Sequence, residues 1–416
     1  MRNRLDVTMV KAHNRRLVFE DVVASAPTTR AQIVANTNLS AGTVATFLDD
    51  LSRRGIIREV KEARRSSGPA VGRKPNRVEF LPKARRIICI DLATKHPTYY
   101  IKDLLLSTES VGHRVDTSSD ATYEERLRRL LKEIVRQVRP ANDSDGDAGR
   151  PIIGVGISVP GPYRPAEDRV SCKLVPELND IHLRSLIREY LPFPVQIDHD
   201  VKLALGTEVK SIAYHEYKTI LSLYFGEGVG SAISINGRVF GGAHEFAGEI
   251  GQMNVTGGGT LEQGIAWSVF LEEAGLPRAL VEGENEAVLN AELQRRYLSG
   301  DPAFNESLAR MIRIMAAAIA NVICVINPHA VIISGNYSLF GDRFVKELQL
   351  STEEHLIEEM TRDLIFTRSS SQGNPAMIGA GAVVREYWLE NEDTEGESPP
   401  PRNGIEAGNS DKEGAK

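Results

Sequence analysis

The sequence predicts an α/β protein: a body of two related lobes behind a small N-terminal helix-turn-helix head. Three observations carry this. From residue 86 onward, short apolar runs alternate with amphipathic helical patterns. Residues 28–55 hold two short helical patterns parted by a tight turn. The charge is also unevenly divided: residues 1–86 contain 18 Lys+Arg against 8 Asp+Glu, a net of +10, whereas the whole chain of 416 residues is at −6. A basic head on an acidic body suggests a polyanionic partner for the head.

Taken in order, the first helix runs over roughly 8–25 and supplies one wall of the head core through Leu17, Val18 and Val22. The stretch "TTRAQIVANTNLSAGTVATFLDDLSRRG" comes next, residues 28–55. A short helix begins after Thr28 or Thr29 and ends near Asn36–Asn38, with the turn around Leu39. A second helix opens at Ser40, whose hydroxyl can satisfy an orphan backbone N–H. Val44, Phe47, Leu48 and Leu51 fall at i, i+3, i+4 and i+7, a single buried stripe. The outward positions near its start are Ala41, Gly42, Thr43 and Thr46, all small or hydroxylated, so this face can enter a DNA major groove without clashing. Gly55 ends the helix and "IIREV" starts a strand.

Beyond it lies "VKEARRSSGPAVGRKPNRVEF", a hairpin-like wing carrying Arg58, Lys61, Arg64, Arg65, Arg73, Lys74 and Arg77. The order helix, helix-turn-helix, basic wing points to double-stranded DNA binding over residues 1–85. The base-facing candidates are Ser40, Thr43 and Thr46; Arg30, Arg73 and Lys74 are the candidates for phosphates or a minor groove.

In the body, residues 86–389, "RIICID", "PIIGVGISVPGP", "FPVQID", "TILSLYFGEGVGSAISING" and "AVIISGN" read as strands. "YEERLRRLLKEIVRQV", "LRSLIREYL" and "ESLARMIRIMAAAIANVICVI" read as helices. "PANDSDGDAGRP" is a polar loop, and residues 390–416 have the composition of a disordered tail. Cys89, Cys172 and Cys324 lie far apart in apolar patterns, which predicts buried, reduced thiols and neither a disulfide framework nor a CxxC knuckle. The N-terminus lacks an apolar leader core, and no run of about 18 apolar residues is present. These features predict a cytoplasmic protein with no membrane partner.

Four body motifs, in order, resemble the ROK family (repressors, open reading frames and sugar kinases), within the actin/hexokinase-like ATPase superfamily. They are "GVGISVPGPY" at 154–163, "QIDHDVKLALGTE" at 196–208, "LYFGEGVGSAISINGRVFGGAHEFAGEIGQM" at 223–253 and "INPHAVIISGNYSLFGDRF" at 326–344. The resemblance spans about residues 86–388. With the winged head in front, the chain is similar to the xylose/N-acetylglucosamine-type repressor branch.

The departures from that pattern are informative. Family kinases open on Asp-x-Gly-Gly-Thr, whose glycine backbone cradles ATP phosphates. Here Asp91 and Thr94 flank the motif, the glycines are absent and Pro97 stiffens the chain just beyond. The second phosphate loop is normally Gly-Thr-Gly and here is Gly226-Glu227-Gly228. A carboxylate cannot donate to a phosphate, and placing it ~4 Å away costs on the order of 1–4 kcal/mol depending on solvation. Phosphoryl transfer is therefore not expected, and no catalytic residue is assigned. The family's zinc module is also missing: Gln252 holds the histidine position, and "MNVTGGGTLEQG" contains no cysteine. No structural zinc or other cofactor is expected.

The resemblance carries sugar contacts onto His199, Asp200, Glu249, Gln252 and Glu262. Asp200 holds the place of the kinases' general base, and His199 replaces their asparagine. The resemblance implies a homodimer or dimer of dimers on a pseudo-palindromic operator, a sugar or sugar derivative as effector, and association with the bacterial nucleoid. A regulator with no small-molecule effector, and a sugar kinase with an accessory domain, are the alternative expectations.

Overall fold

The computed structural model describes residues 7–60, 76–94, 96–112, 121–138, 150–210, 216–281, 286–370 and 374–391. The wing residues Lys61, Arg64, Arg65, Arg73 and Lys74, most of the polar loop and the tail after Asn391 lie outside them.

The head consists of α1 (Val7–Ser25), β1 (Thr28–Thr29), α2 (Arg30–Thr37), α3 (Ala41–Arg53), β2 (Ile57–Val60) and β3 (Arg77–Phe80). Thr29 caps α2 by accepting from the Gln32 N–H, and Asn38, at φ 55°, ends it in the left-handed region. Ser40 caps α3 by accepting from the Thr43 N–H at 3.1 Å. The stripe Val44, Phe47, Leu48 and Leu51 is buried as its spacing requires. β3 pairs antiparallel with both β1 and β2, forming the base of the wing. Leu17, expected in this core, is only half-buried. Phe19 takes its place, its ring edge-on to Phe80 at 5.8 Å, because α1 turns the 18, 19, 22 face inward.

The first lobe comprises β4 (Arg86–Asp91), β5 (Thr98–Lys102), β6 (Thr108–Val111), α4 (Tyr123–Val138), β7 (Ile152–Val159), β8 (Tyr163–Arg164), β9 (Arg169–Val170), α5 (Leu183–Tyr190) and β10 (Val195–His199). α6 (Asp200–Glu208) leads to the second lobe: β11 (Thr219–Phe225), β12 (Val229–Ile235), β13 (Arg238–Val239), α7 (Leu261–Ile265), α8 (Trp267–Glu273), α9 (Arg278–Val281), α10 (Glu286–Ser299), α11 (Pro302–Ile326) and β14 (Ala330–Ser334). The body is completed by α12 (Gly341–Glu353), α13 (Glu358–Thr361), β15 (Ile365–Arg368) and α14 (Pro375–Glu390).

The two five-stranded sheets are built alike. Each begins with an antiparallel meander, β4-β5-β6 or β11-β12-β13, and adds two parallel strands on the other side of its first strand, β7 and β10 or β14 and β15. That shared order is the structural content of two related lobes. Burial explains the continuous apolar runs: every residue of β4 is buried, and β7 is buried from Ile153 to Val159.

α11 begins at Pro302, four residues ahead of the expected start, because Asp301 accepts from the Phe304 N–H and proline fits a first turn. By length and composition it could cross a membrane, although Arg310 and Arg313 keep it from being an unbroken apolar run. Phe304, Leu308, Met311, Met315, Ile319 and Ile323 bury its inner face in the second lobe's core. Cys89 and Cys172 are buried, but Cys324 is exposed. It sits near the end of α11 beside Val325, itself 83% exposed, where the helix turns its outer face away from the core.

One hydrophobic cluster joins head and body, with Val18, Phe19 and Val22 continuous with Ile87, Cys89, Leu203, Met377, Ala380, Val384 and Leu389. α14 is its spine. Arg15 donates to the Leu389 carbonyl at 2.9 Å, and the Arg385 guanidinium lies 5.6 Å from the Phe19 ring centroid. α14 crosses α6 at backbone contact, since a Cβ on Gly379 would come within 2.1 Å of the Leu203 carbonyl oxygen.

Candidate functional site

On the head, the first turn of α3 leaves Ser40, Ala41, Gly42 and Thr46 exposed and Thr43 half-buried. The Ser40 and Thr43 hydroxyls lie 2.8 Å apart, and Thr46 donates to the Gly42 carbonyl at 2.9 Å. These bonds fix the hydroxyls and leave oxygen lone pairs and methyl groups to meet a base edge. Arg30 is placed differently from expectation. Its guanidinium is held by Asp49 at 2.5 Å and by Glu59 at 2.6 Å, tying α2 to α3 and β2, so it is a structural brace before it is a phosphate contact. Arg53, Arg54 and Arg58 are likewise paired, with Asp50 or Glu79. Arg73 and Lys74 lie outside the described residues.

In the body, the cleft between the lobes is floored by the end of β4, the β10–α6 junction and the β11–β12 hairpin. Asp91, only 5% exposed, accepts from the Ala93 N–H at 3.0 Å and from Asn374 at 2.8 Å. Tyr123 donates to the Leu92 carbonyl at 3.1 Å. The Ala93 N–H is thus engaged within the chain by Asp91. The Gly226-Glu227-Gly228 loop is similarly committed, with the Gly226 N–H on the Gly228 carbonyl and the Val229 N–H on Glu262 Oε2 at 3.2 Å.

His199, Asp200 and Glu249 come together. His199 Nε2 lies 3.2 Å from Asp200 Oδ1, and its Nδ1 lies 3.6 Å from Glu249 Oε1. Burial pushes His199 down to about 3, with Lys202 adding to the effect, so the ring is neutral. Burial pushes Asp200 up to about 7; the Val201 N–H opposes this and the negative charges of Asp91 and Glu249 add to it. Glu249 is raised for the same first reason, with Lys202 opposing. A neutral His199 offers no positive charge to a ligand in this cleft. Glu262 lies on α7, whose start is fixed by a Thr260–Gln263 capping box. Gln252 accepts from Lys173 at 2.8 Å, a contact between the lobes.

Two further residues belong to this site. Lys202 is 3% exposed and donates to the Glu245 carbonyl at 2.7 Å and to Glu245 Oε2 at 2.9 Å, anchoring the loop that carries Glu249. Lys173 is the other. Sequence spacing gave no signal for either, because a lysine in a helix or loop reads as solvated until its distant partner is known. Among the described residues no group of His, Cys, Asp and Glu is arranged to hold a metal ion.

A duplicated meander-plus-parallel sheet with a cleft between the copies defines a sugar-kinase-like α/β fold, here preceded by a helix-turn-helix head. Residues 87–387 match the ROK family, and the chain belongs to it. The chain is 22% identical over 395 residues to the xylose repressor of Bacillus spizizenii, covering 92% of this chain and 98% of that protein. Among solved structures it is similar to a ROK family transcriptional regulator described as a homologue of the E. coli MLC protein. That similarity has a TM-score of 0.72 at 18% identity, covering 92% and 97% of the two chains. It is also similar to a ROK glucokinase from Streptomyces griseus in complex with glucose and AMPPNP (TM-score 0.56, 20% identity, 72% of this chain and 99% of that one).

Proposed function

We propose that this chain is a DNA-binding transcriptional regulator, a repressor of carbohydrate genes, whose body dimerises and senses a sugar without phosphorylating it. The observation that carries this reading is the exposed, uncharged first turn of α3, on a chain whose likeness to a xylose repressor covers 98% of that protein. Ser40, Thr43 and Thr46 read bases, and Arg73 and Lys74 hold phosphates or a minor groove. The sugar contacts are His199, Asp200, Glu249, Gln252 and Glu262. The occupied N–H groups of Ala93 and Gly226, with a carboxylate at Glu227, support a body that does not hold ATP productively. The protein works in the cytoplasm on the nucleoid.

α14 supplies a route from ligand to head. Its N-cap Asn374 bonds Asp91 in the cleft, its middle packs on α6 behind Asp200, and its end holds α1. A sugar that favours one lobe arrangement shifts the population of head positions accordingly. Binding of the full chain to a promoter-derived duplex, with and without a panel of free sugars, tests the reading. One sugar class should release the DNA. Release by none would remove the sensing role, and no DNA binding would remove the reading altogether.

A further inference from the structure

One covalent crossover, residues 81–85, joins the head to the body between β3 and β4. A small domain on a single connection swivels unless other contacts hold it. Here the crossover is itself held. The Leu104 N–H of the first lobe donates to the Pro82 carbonyl at 3.0 Å, and Arg85 donates to the Arg54 carbonyl at the end of α3 at 2.9 Å. The apolar cluster shared by head and body adds attraction but no direction, since burial of apolar surface is non-directional. Direction comes from two arginines on the α1–α14 seam.

Arg385 of α14 donates to the Leu104 carbonyl and sets its guanidinium over the Phe19 ring, 5.6 Å from the centroid. Phe19 lies edge-on to Phe80 of β3, so this contact reaches the base of the wing. Arg15 of α1 runs the other way. It is 5% exposed, donates to the Leu389 carbonyl of α14 at 2.9 Å and lies 6.0 Å from the ring centroid of Phe47 on α3. The two arginines therefore cross the seam in opposite directions, one toward the wing and one toward the helix that reads DNA. A planar guanidinium between a carbonyl and a ring face fixes orientation as well as distance.

α14 has no slack of its own. Its backbone meets both lobes, Gly379 against the Leu203 carbonyl of α6 and the Ala380 carbonyl against Gly156 of β7, and neither glycine leaves room for a Cβ. α6 opens at Asp200 in the sugar cluster, and Lys210, just past its end, pairs with Glu386 of α14. Close-packed elements transmit displacement, so a shift of α6 against β7 is carried into α14 and on to the seam.

We propose that Arg15 and Arg385 are positioning residues that fix the angle at which the head leaves the body, and through it the half-site spacing that a pair of heads accepts. The inference rests on the regulator reading, in which α3 reads DNA and the body dimerises.

Two measurements on the full chain test it. In the first, duplexes are selected from a randomised pool by the parent and by Arg15→Met, Arg385→Met and Arg385→Lys. Methionine keeps an unbranched apolar stem in the seam and removes the guanidinium. Both methionine variants should recover the parent's half-site sequence, with spacings spread by about one base pair or more around one helical turn. They should bind the parent's selected duplex about tenfold more weakly, because both heads no longer engage at once without strain. A single half-site should be bound within about twofold of the parent, since α3 itself is untouched. Arg385→Lys keeps a cation for the Leu104 carbonyl and the Phe19 ring and should restore the single spacing, which a merely space-filling role does not require.

The second measurement uses no DNA. Spin labels on the exposed thiol of Cys324 and on Ser52→Cys, an exposed position of α3, report the body-to-head distance within one protomer diluted in unlabelled chain. That distance should be narrowly distributed in the parent and about twofold broader in both methionine variants. A broad distribution in the parent, or one that neither substitution widens, overturns the proposal, as does a single spacing kept by both methionine variants. A parent that selects no sequence would remove the regulator reading, while the spin-label distances would still decide whether these arginines hold the head.

Discussion

Helices α3 and α6 each offer a short first turn to a partner, and the surroundings of the two turns are opposite in character. The turn of α3 is exposed and uncharged, its hydroxyls tied to one another and to the Gly42 carbonyl, its flanking arginines braced by Asp49, Asp50 and Glu59. The turn of α6 lies inside a cleft where His199 is neutral, Lys202 is buried against Glu245, and Asp91, Asp200 and Glu249 crowd together. The first surface holds its carboxylates paired with arginines, so its exposed turn sets no unpaired acid against a polyanion. The second repels anions, so an uncharged molecule suits it better. One chain thus presents two helix starts of different electrostatic character.

Removing the support of either turn should break that contrast most strongly. Leu48→Ala empties the wall behind α3 and should destabilise the head by about 2–5 kcal/mol, abolishing DNA binding while the body still unfolds cooperatively in denaturant. Lys202→Met removes the buried ammonium that ties the Glu245 carbonyl and carboxylate to α6. It should lower stability by about 3 kcal/mol in urea titration and loosen the 240–249 loop, read as faster hydrogen exchange there.

Smaller changes sharpen the contrast. Thr43→Ala or Thr46→Ala should relax base preference at one operator position by about 1–3 kcal/mol, with little change in non-specific affinity. If preference is unchanged in both, α3 is not the reading helix. Replacing Arg73 and Lys74 together by alanine should instead weaken all DNA binding and flatten its dependence on salt.

The pH response should be the subtlest. Asp200 is raised in the folded state to about 7, so between its ordinary value near 4 and 7 the folded protein holds a proton that the unfolded chain has lost. Its contribution therefore falls as pH rises through that window. His199, lowered to about 3, acts in the opposite sense: the unfolded chain binds the extra proton, and stability is lost as pH falls below about 6.5. The two oppose one another in mildly acidic solution. Asp200→Asn removes the first, so its melting temperature relative to the parent should rise from pH 5 to pH 8. A constant difference would show that Asp200 is ionised throughout.

Legibility in the sequence divides along the same line. The head was readable because its determinants are local: a cap at Ser40, a stripe at 44, 47, 48 and 51, and a stop at Gly55 all act within a turn or so of their neighbours. Asp200 and Glu249 were candidates through the resemblance of the body motifs to the family, not through any local rule. The lysines that complete the cleft were not readable, since Lys202 acquires its role from Glu245 and Lys173 from Gln252, 79 positions away in the chain. The bracing of Arg30 was missed because Glu59 reaches it only once β2 folds back. The exposure of Cys324 was legible but overlooked, since it continues the outer face that Arg310, Arg313 and Asn321 mark on α11.

The most direct measurement is selection of duplexes from a randomised pool by the full chain, repeated after adding each free sugar of a panel. The prediction is an enriched, pseudo-palindromic sequence with half-sites about one helical turn apart, whose recovery one class of uncharged sugar abolishes. Recovery of duplexes with no shared sequence would contradict the central claim that α3 reads DNA for a sugar-sensing body.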